Sequence, residues 1–247
     1  MDETPAEALP VNSQPLHAMP EPAWKPLTAK QRRVLGTLME KSKTTPDVYP
    51  MSYSGLMTGC NQKSNRAPIT QYSVEQVESI VDELRTMGAA TIVQGSGRVT
   101  KVRHNGYAWL GIQKVEAAIM TELLLRGEQT VGELRTRASR MEPIPDLEEL
   151  KRLMDGLKQR NLIVELTPPG RGQMVSHNLY PEWELEALRK NVAAGVAATC
   201  TDEDDESSAV SPASGGKARG HSEFEELRAA LQALSDRVQR IESELGL

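Results

Sequence analysis

Between residues 60 and 69 the chain reads CNQKSNRAPI, which sets Asn61, Gln62, Lys63, Asn65 and Arg66 in one short polar stretch closed by Pro68. Two kinds of chemistry use such side chains. Amides and guanidinium groups read base edges and hold phosphate oxygens in nucleic-acid complexes. The same residues also end helices: Asn61 or Asn65 suits a C-cap, Lys63 and Arg66 suit the negative end of a helix dipole, and Pro68 bars the residue before it from helix. A later stretch, RASRMEPIP, has the cations and prolines without the amides. Capping therefore accounts for the cations and the proline and leaves the amides over, so the sequence keeps both readings open.

Two further groups of cations have the same double character. GSGRVTKVRH carries Arg98, Lys101, Arg103 and His104, and GRGQMVSHNL carries Arg171 and His177. On an extended strand Arg98, Thr100, Val102 and His104 share one face, and Val99, Lys101 and Arg103 the other. Such residues either contact phosphate or protect a sheet edge with charge. In GELRTRASR, Arg135, Arg137 and Arg140 either anchor phosphates or solvate a helix face. Catalysis finds no constellation: His17, His104, His177 and His221 stand apart, and Cys60 and Cys200 form no C-x-x-C pair. No G-x-S-x-G, H-E-x-x-H or phosphate loop is present. The expectation is a non-enzymatic protein with no cofactor and no metal.

The elements that must position these residues follow from caps and periodicity. TAKQ at Thr28 and SVEQ at Ser73 are capping boxes; the first opens a helix with Val34, Leu35, Leu38 and Met39 on one face, the second one with Val77, Ile80, Val81 and Leu84. The period then falls to two in ATIVQ and VTKVRH around a Gly-rich turn, which predicts a hairpin. A second series repeats the order: a helix with Val115, Ile119, Leu123 and Leu124, a capped helix from Thr130, an Asp146-capped helix, then LIVEL and QMVSHNL. An offset of 73 residues carries Val77, Ile80, Val81 and Leu84 onto Leu150, Leu153, Met154 and Leu157, and Gly97, Arg98 and His104 onto Gly170, Arg171 and His177. We read a tandem duplication. The expected fold class is mainly α with small β-hairpins, as two tandem winged-helix domains over 27–109 and 110–190, plus a C-terminal coiled-coil helix.

The segments YPMSYSGLMTGCNQKSNRAPI, RVTKVRH and ELLLRGEQTVGELRTRASRM resemble the signature segments of the YceH-like family of bacterial proteins. The resemblance spans about residues 27 to 180 and implies tandem winged-helix domains. It carries no biochemical activity with it.

Charge is segregated along the chain. The formal net charge is -5, yet residues 27 to 190 sum to +4, because the segments 1–26, 191–221 and 222–247 are each acidic. The Pro-rich stretch 1–26 predicts a disordered N-terminal arm, and 191–221 an acidic flexible linker. In 222–247, Phe224, Leu227, Leu231, Leu234, Val238, Ile241 and Leu245 fall at heptad a and d positions, with Glu223 opposite Arg228 and Arg237 opposite Glu242 in a parallel pair. This predicts a homodimer. No signal peptide or membrane-length apolar run is seen, so a cytoplasmic protein without membrane association is expected.

The leading functional expectation is a DNA-associated regulatory protein contacting double-stranded DNA through Asn61, Lys63, Asn65, Arg66, Arg98, Lys101, Arg103, His104, Arg135, Arg137 and Arg171. The third helix argues against ordinary major-groove docking, because Glu75, Glu78, Asp82 and Glu83 face a single Arg85 there. The alternative is a protein-interaction module whose winged-helix faces, the acidic third helix included, pack against a partner protein without DNA binding.

Overall fold

The first helix begins where the capping box places it. In the computed structural model, which describes residues 24–93 and 99–199, α1 runs Ala29–Thr44, with Thr28 Oγ1 accepting from the Gln31 amide and Gln31 reaching back. Strand β1 (Met51–Ser52) and helix α2 (Tyr53–Cys60) follow, then α3 (Val74–Thr86) behind its Ser73–Gln76 box. The hairpin is β2 (Ala90–Val93) and β3 (Lys101–His104), and α4 (Gly106–Leu110) leads into the second half. That half comprises α5 (Lys114–Arg126), β4 (Gln129–Thr130), α6 (Val131–Ala138), α7 (Leu147–Gln159), β5 (Ile163–Glu165), β6 (Met174–His177) and α8 (Glu182–Thr199). Each half closes a three-stranded antiparallel sheet, in the orders β1-β3-β2 and β4-β6-β5.

The two halves correspond in individual hydrogen bonds. After α3, Gly88 takes a positive φ of 79°, and after α7 Asn161 takes 56°. The Asn105 amide donates to Ala89 O and the Asn178 amide to Leu162 O, both at 2.8 Å. Their side chains donate to Gly88 O and Asn161 O, both at 3.1 Å. His104 Nδ1 accepts from the Gly106 amide at 3.0 Å, and His177 Nδ1 from the Leu179 amide at 3.2 Å. All of these pairs stand 73 residues apart. The two histidines therefore end their strands in the same way.

The halves are not separate bodies. Helix α1 packs along α5, one helix from each half, and Leu35, Leu38, Ile119 and Leu123 are all fully buried in a single continuous core. Burying side chains of this size contributes about 1.5–3 kcal/mol each. The two helices come close at Gly36, where an added Cβ would lie 3.0 Å from Leu125 Cδ2 and 3.1 Å from Leu124 Cβ. Gly36→Val is expected to cost about 1–3 kcal/mol, read as a lower urea midpoint, although valine removes a helix-interior glycine that would otherwise be unfavourable.

Three expected boundaries change. The division at 109/110 falls inside α4, and α8 continues through Thr199, so the segment expected as linker from 191 begins as helix. Trp24, placed in the arm by its neighbours' composition, packs against the core. Residues 1–23, Arg98 and the whole Phe224–Leu245 seam lie outside the described residues.

Candidate interaction surface

The polar stretch after α2 is mostly consumed by the fold. Arg66, expected at the surface, is a correction: its side chain is fully buried. Its Nη1 and Nη2 donate to the two Glu40 carboxylate oxygens at 3.1 and 2.6 Å. Nε and Nη2 also donate to Gly59 O at 3.1 and 2.9 Å, and Nη1 to Asn65 O at 2.8 Å. A guanidinium so engaged has no donor left for a phosphate.

The amides have structural work as well, and Asn61 is the C-cap of α2, one of the two positions the sequence offered. Asn61 straps the loop closed, its Oδ1 accepting from the Tyr72 amide and its Nδ2 donating to Tyr72 O, both at 2.8 Å. Asn65 sits at φ 58° and its Oδ1 accepts from Arg126 Nη2 at 2.6 Å and Arg140 Nη1 at 2.8 Å. It therefore ties the first half to the second. Of this stretch Lys63 is exposed. Cys60 beneath it is buried, and burial pushes its thiol up to about 11, away from the reactive range.

The hairpin leaves two of its cations at the surface. Lys101 and Arg103 point outward on β3 while Val102 is fully buried between them, as alternation requires. His104 is the second correction. It turns inward, its Nε2 lies 3.1 Å from Ser42 Oγ, and its ring stands between Tyr49 and Tyr107. Burial, then the nearby Arg103 and Lys43, lowers its pKa to about 4. His177 stacks on Tyr180 with centroids 3.9 Å apart and is held neutral by burial. Arg171 is exposed on the second hairpin turn.

The arginines of α6 serve local structure. Arg135 Nη1 donates to Pro145 O at 2.9 Å, closing the turn into α7. Arg137 donates to Gln129 Oε1 at 2.7 Å and pairs with Glu133 at 3.2 Å. Arg140 pairs with the buried Glu122 at 2.7 Å. The cationic surface expected from the sequence thus reduces, among the described residues, to Lys63, Lys101, Arg103 and Arg171.

The outward face of α3 is acidic. Helix α3 buries Val77, Ile80, Val81 and Leu84 and turns Glu75, Glu78, Asp82 and Glu83 outward. Arg85 is spent on Asp82 at 2.7 Å. Burial, then Asp82 and Glu78, raises the phenol of neighbouring Tyr53. Beside this face lies a groove of about 600 Å³ walled by Gln76, Ser79, Ile80 and Glu83 of α3, the start of α1, and Pro181 and Trp183. Gln31 Nε2 donates to Glu83 Oε2 at 2.6 Å and fixes the wall. Trp183 is 72% exposed. A large indole left in water beside carboxylates was not singled out from the sequence, because a tryptophan in a helix ordinarily reads as core.

Residues 27–171 match the family model described as a protein of unknown function, DUF480. A UPF0502 protein of Rhodopirellula baltica is 53% identical over 189 residues, 76% of this chain and 80% of that one. A UPF0502 protein of Burkholderia thailandensis is 36% identical over 233 residues, 94% and 91% of the two chains. A third, from Delftia acidovorans, is 35% identical over 185 residues, 72% and 81%. No described helix is long and apolar enough to cross a membrane.

Proposed function

The chain belongs to the DUF480 (UPF0502) family, whose name carries no activity, and from the geometry we propose a non-enzymatic adaptor of tandem winged-helix type that binds a basic segment of a partner protein on its α3 face. The observation that carries this reading is the outward row Glu75, Glu78, Asp82 and Glu83 beside the exposed Trp183 groove. Duplex DNA is repelled by such a row, whereas a Lys- or Arg-bearing peptide is attracted and steered by it. An apolar side chain of that peptide would cover Trp183, since aromatic residues are enriched at interface anchors.

A short peptide of alternating Lys and Arg around one Leu, titrated while tryptophan emission is followed, is expected to shift the spectrum to the blue. Trp183→Phe removes the shift, and Glu75→Gln, Glu78→Gln and Asp82→Asn together weaken binding by about tenfold or more, equivalent to 1.4 kcal/mol. An acidic peptide of the same length gives no shift. DNA association through the hairpin is the second reading, supported by exposed Lys101 and Arg103. Duplex binding near ~50 mM salt, lost in a Lys63, Lys101, Arg103 and Arg171 alanine variant with a flatter salt slope, would replace the adaptor reading with it.

A further inference from the structure

One buried cation has no counter-charge. Arg33 on α1 is 3% exposed. Its Nη2 donates to Pro68 O at 2.5 Å, while Nη1 has no hydrogen-bond acceptor. Its charged neighbours explain the burden: Arg66 repels it, and Glu40, the carboxylate within reach, is already held bidentately by Arg66. Uncompensated buried charge is costly and is ordinarily paired or removed.

Arg33 lies in the wall of a cleft of about 380 Å³ where α1, the α5–β4 turn and α8 meet. The charged groups on this cleft are Arg32, Arg33 and Arg126 against Glu128 and Glu184. Arg32 is committed to Glu184 and to Leu27 O, and its guanidinium lies 4.5 Å from the Tyr180 ring centroid. Glu128 is exposed at the rim. Arg126 gives Nη2 to Asn65, and its Nε stands 3.3 Å from Glu122 without hydrogen-bond geometry. Arg33, with its Nη1 unpaired, and Arg126, ion-paired with Glu122 but with its Nε outside hydrogen-bond geometry, thus border one opening, against walls formed by Leu124, Ala67, Pro68 and Ala187.

We propose that this cleft is a binding site for a small organic acid, whose carboxylate pairs with Arg33 and Arg126 while its short apolar body lies against Leu124, Pro68 and Ala187. The fork of a guanidinium suits a carboxylate, and the apolar walls favour an organic acid over inorganic phosphate. The ligand would bridge α1 and the α5–β4 turn, one from each half. Binding would therefore stiffen the seam between the two halves.

Thermal unfolding of the full chain in propionate, phosphate and chloride at equal ionic strength tests this. Propionate should raise the midpoint above chloride, with a shift that grows with the logarithm of concentration, and phosphate should not exceed chloride. Arg33→Met should abolish the propionate shift, and without added anion its midpoint should equal or exceed that of the wild type, because an unpaired charge is gone. Ala187→Phe, at an exposed helix position, should fill the cleft and abolish the shift with Arg33 intact. No propionate-specific shift in the wild type, or a shift retained by both variants, overturns the proposal. A shift with phosphate equal to that with propionate overturns the organic-acid assignment.

Discussion

Glu40→Ala is expected to destabilise the protein by about 3–5 kcal/mol, the range for removing one partner of a buried ion pair. The reason is local crowding of positive charge. Glu40 is 6% exposed and accepts from both terminal nitrogens of Arg66, whose side chain has no exposure. Lys41 stands 3.8 Å away on one side, and Arg33 shares the same buried neighbourhood. Without the carboxylate, Arg66 too is left without a counter-charge, beside the already unpaired Arg33. Whole domains hold only about 5–15 kcal/mol, so the variant should unfold at a much lower urea concentration with an unchanged m-value. Arg66→Met should be milder than Glu40→Ala, because Lys41 still partners Glu40, though Gly59 O and Asn65 O lose their donor. The double Glu40→Met and Arg66→Met variant should recover part of the loss, since neither charge is then stranded. A Glu40→Ala cost below ~1 kcal/mol would mean the pair is solvated in solution, and the α2–α3 link would have to be held to α1 by its other contacts.

The same pair shows where sequence reasoning stops. Residue type and spacing placed Arg66 in a polar link, and both a helix end and a phosphate contact were consistent with that. What decided the matter was Glu40, 26 positions earlier on α1, and no local pattern announces a partner at that distance. Asn65 is similar: its amide joins Arg126 and Arg140 across the duplication, a contact visible only once both copies are folded together. The elements themselves were legible, because capping boxes at Thr28, Ser73 and Thr130 and the alternation of β3 are short-range signals. Strands β1 and β4 were not, since two residues each carry no periodicity. Helix α4 was missed for its length of five residues, and no helix was placed over α8, whose last turns the composition after 190 assigned to a linker.

The duplicated histidines should make stability steeply dependent on pH. His104 and His177 are both neutral in the fold, His104 with its pKa lowered to about 4 and His177 with its pKa lowered further from the usual range by complete burial and then by Arg32. In the unfolded chain each titrates near ~6.5. Between those limits the unfolded state binds a proton that the folded state refuses, so the stability present above pH ~6.5 is lost as pH falls toward the folded pKa. His104 alone should remove about 2 kcal/mol between pH 7 and pH 5, and His177 acts in the same direction. Carboxylates with lowered pKa, such as Glu133, lose their contribution in a lower window, as pH falls from the ordinary carboxylate range through the folded value, so the histidine effect comes first. Asparagine is the informative replacement: its side-chain oxygen can take the place of Nδ1 and accept from the Gly106 or Leu179 amide without titrating. His104→Asn and His177→Asn will lower stability at pH 7 through lost packing on Tyr107 and Tyr180, yet the double variant should show a nearly flat urea midpoint from pH 7 to pH 5.5. A wild-type midpoint that does not fall over that interval would show that both imidazoles accept a proton in the folded state, and the strand-ending bonds in which Nδ1 accepts from the Gly106 and Leu179 amides would then be lost.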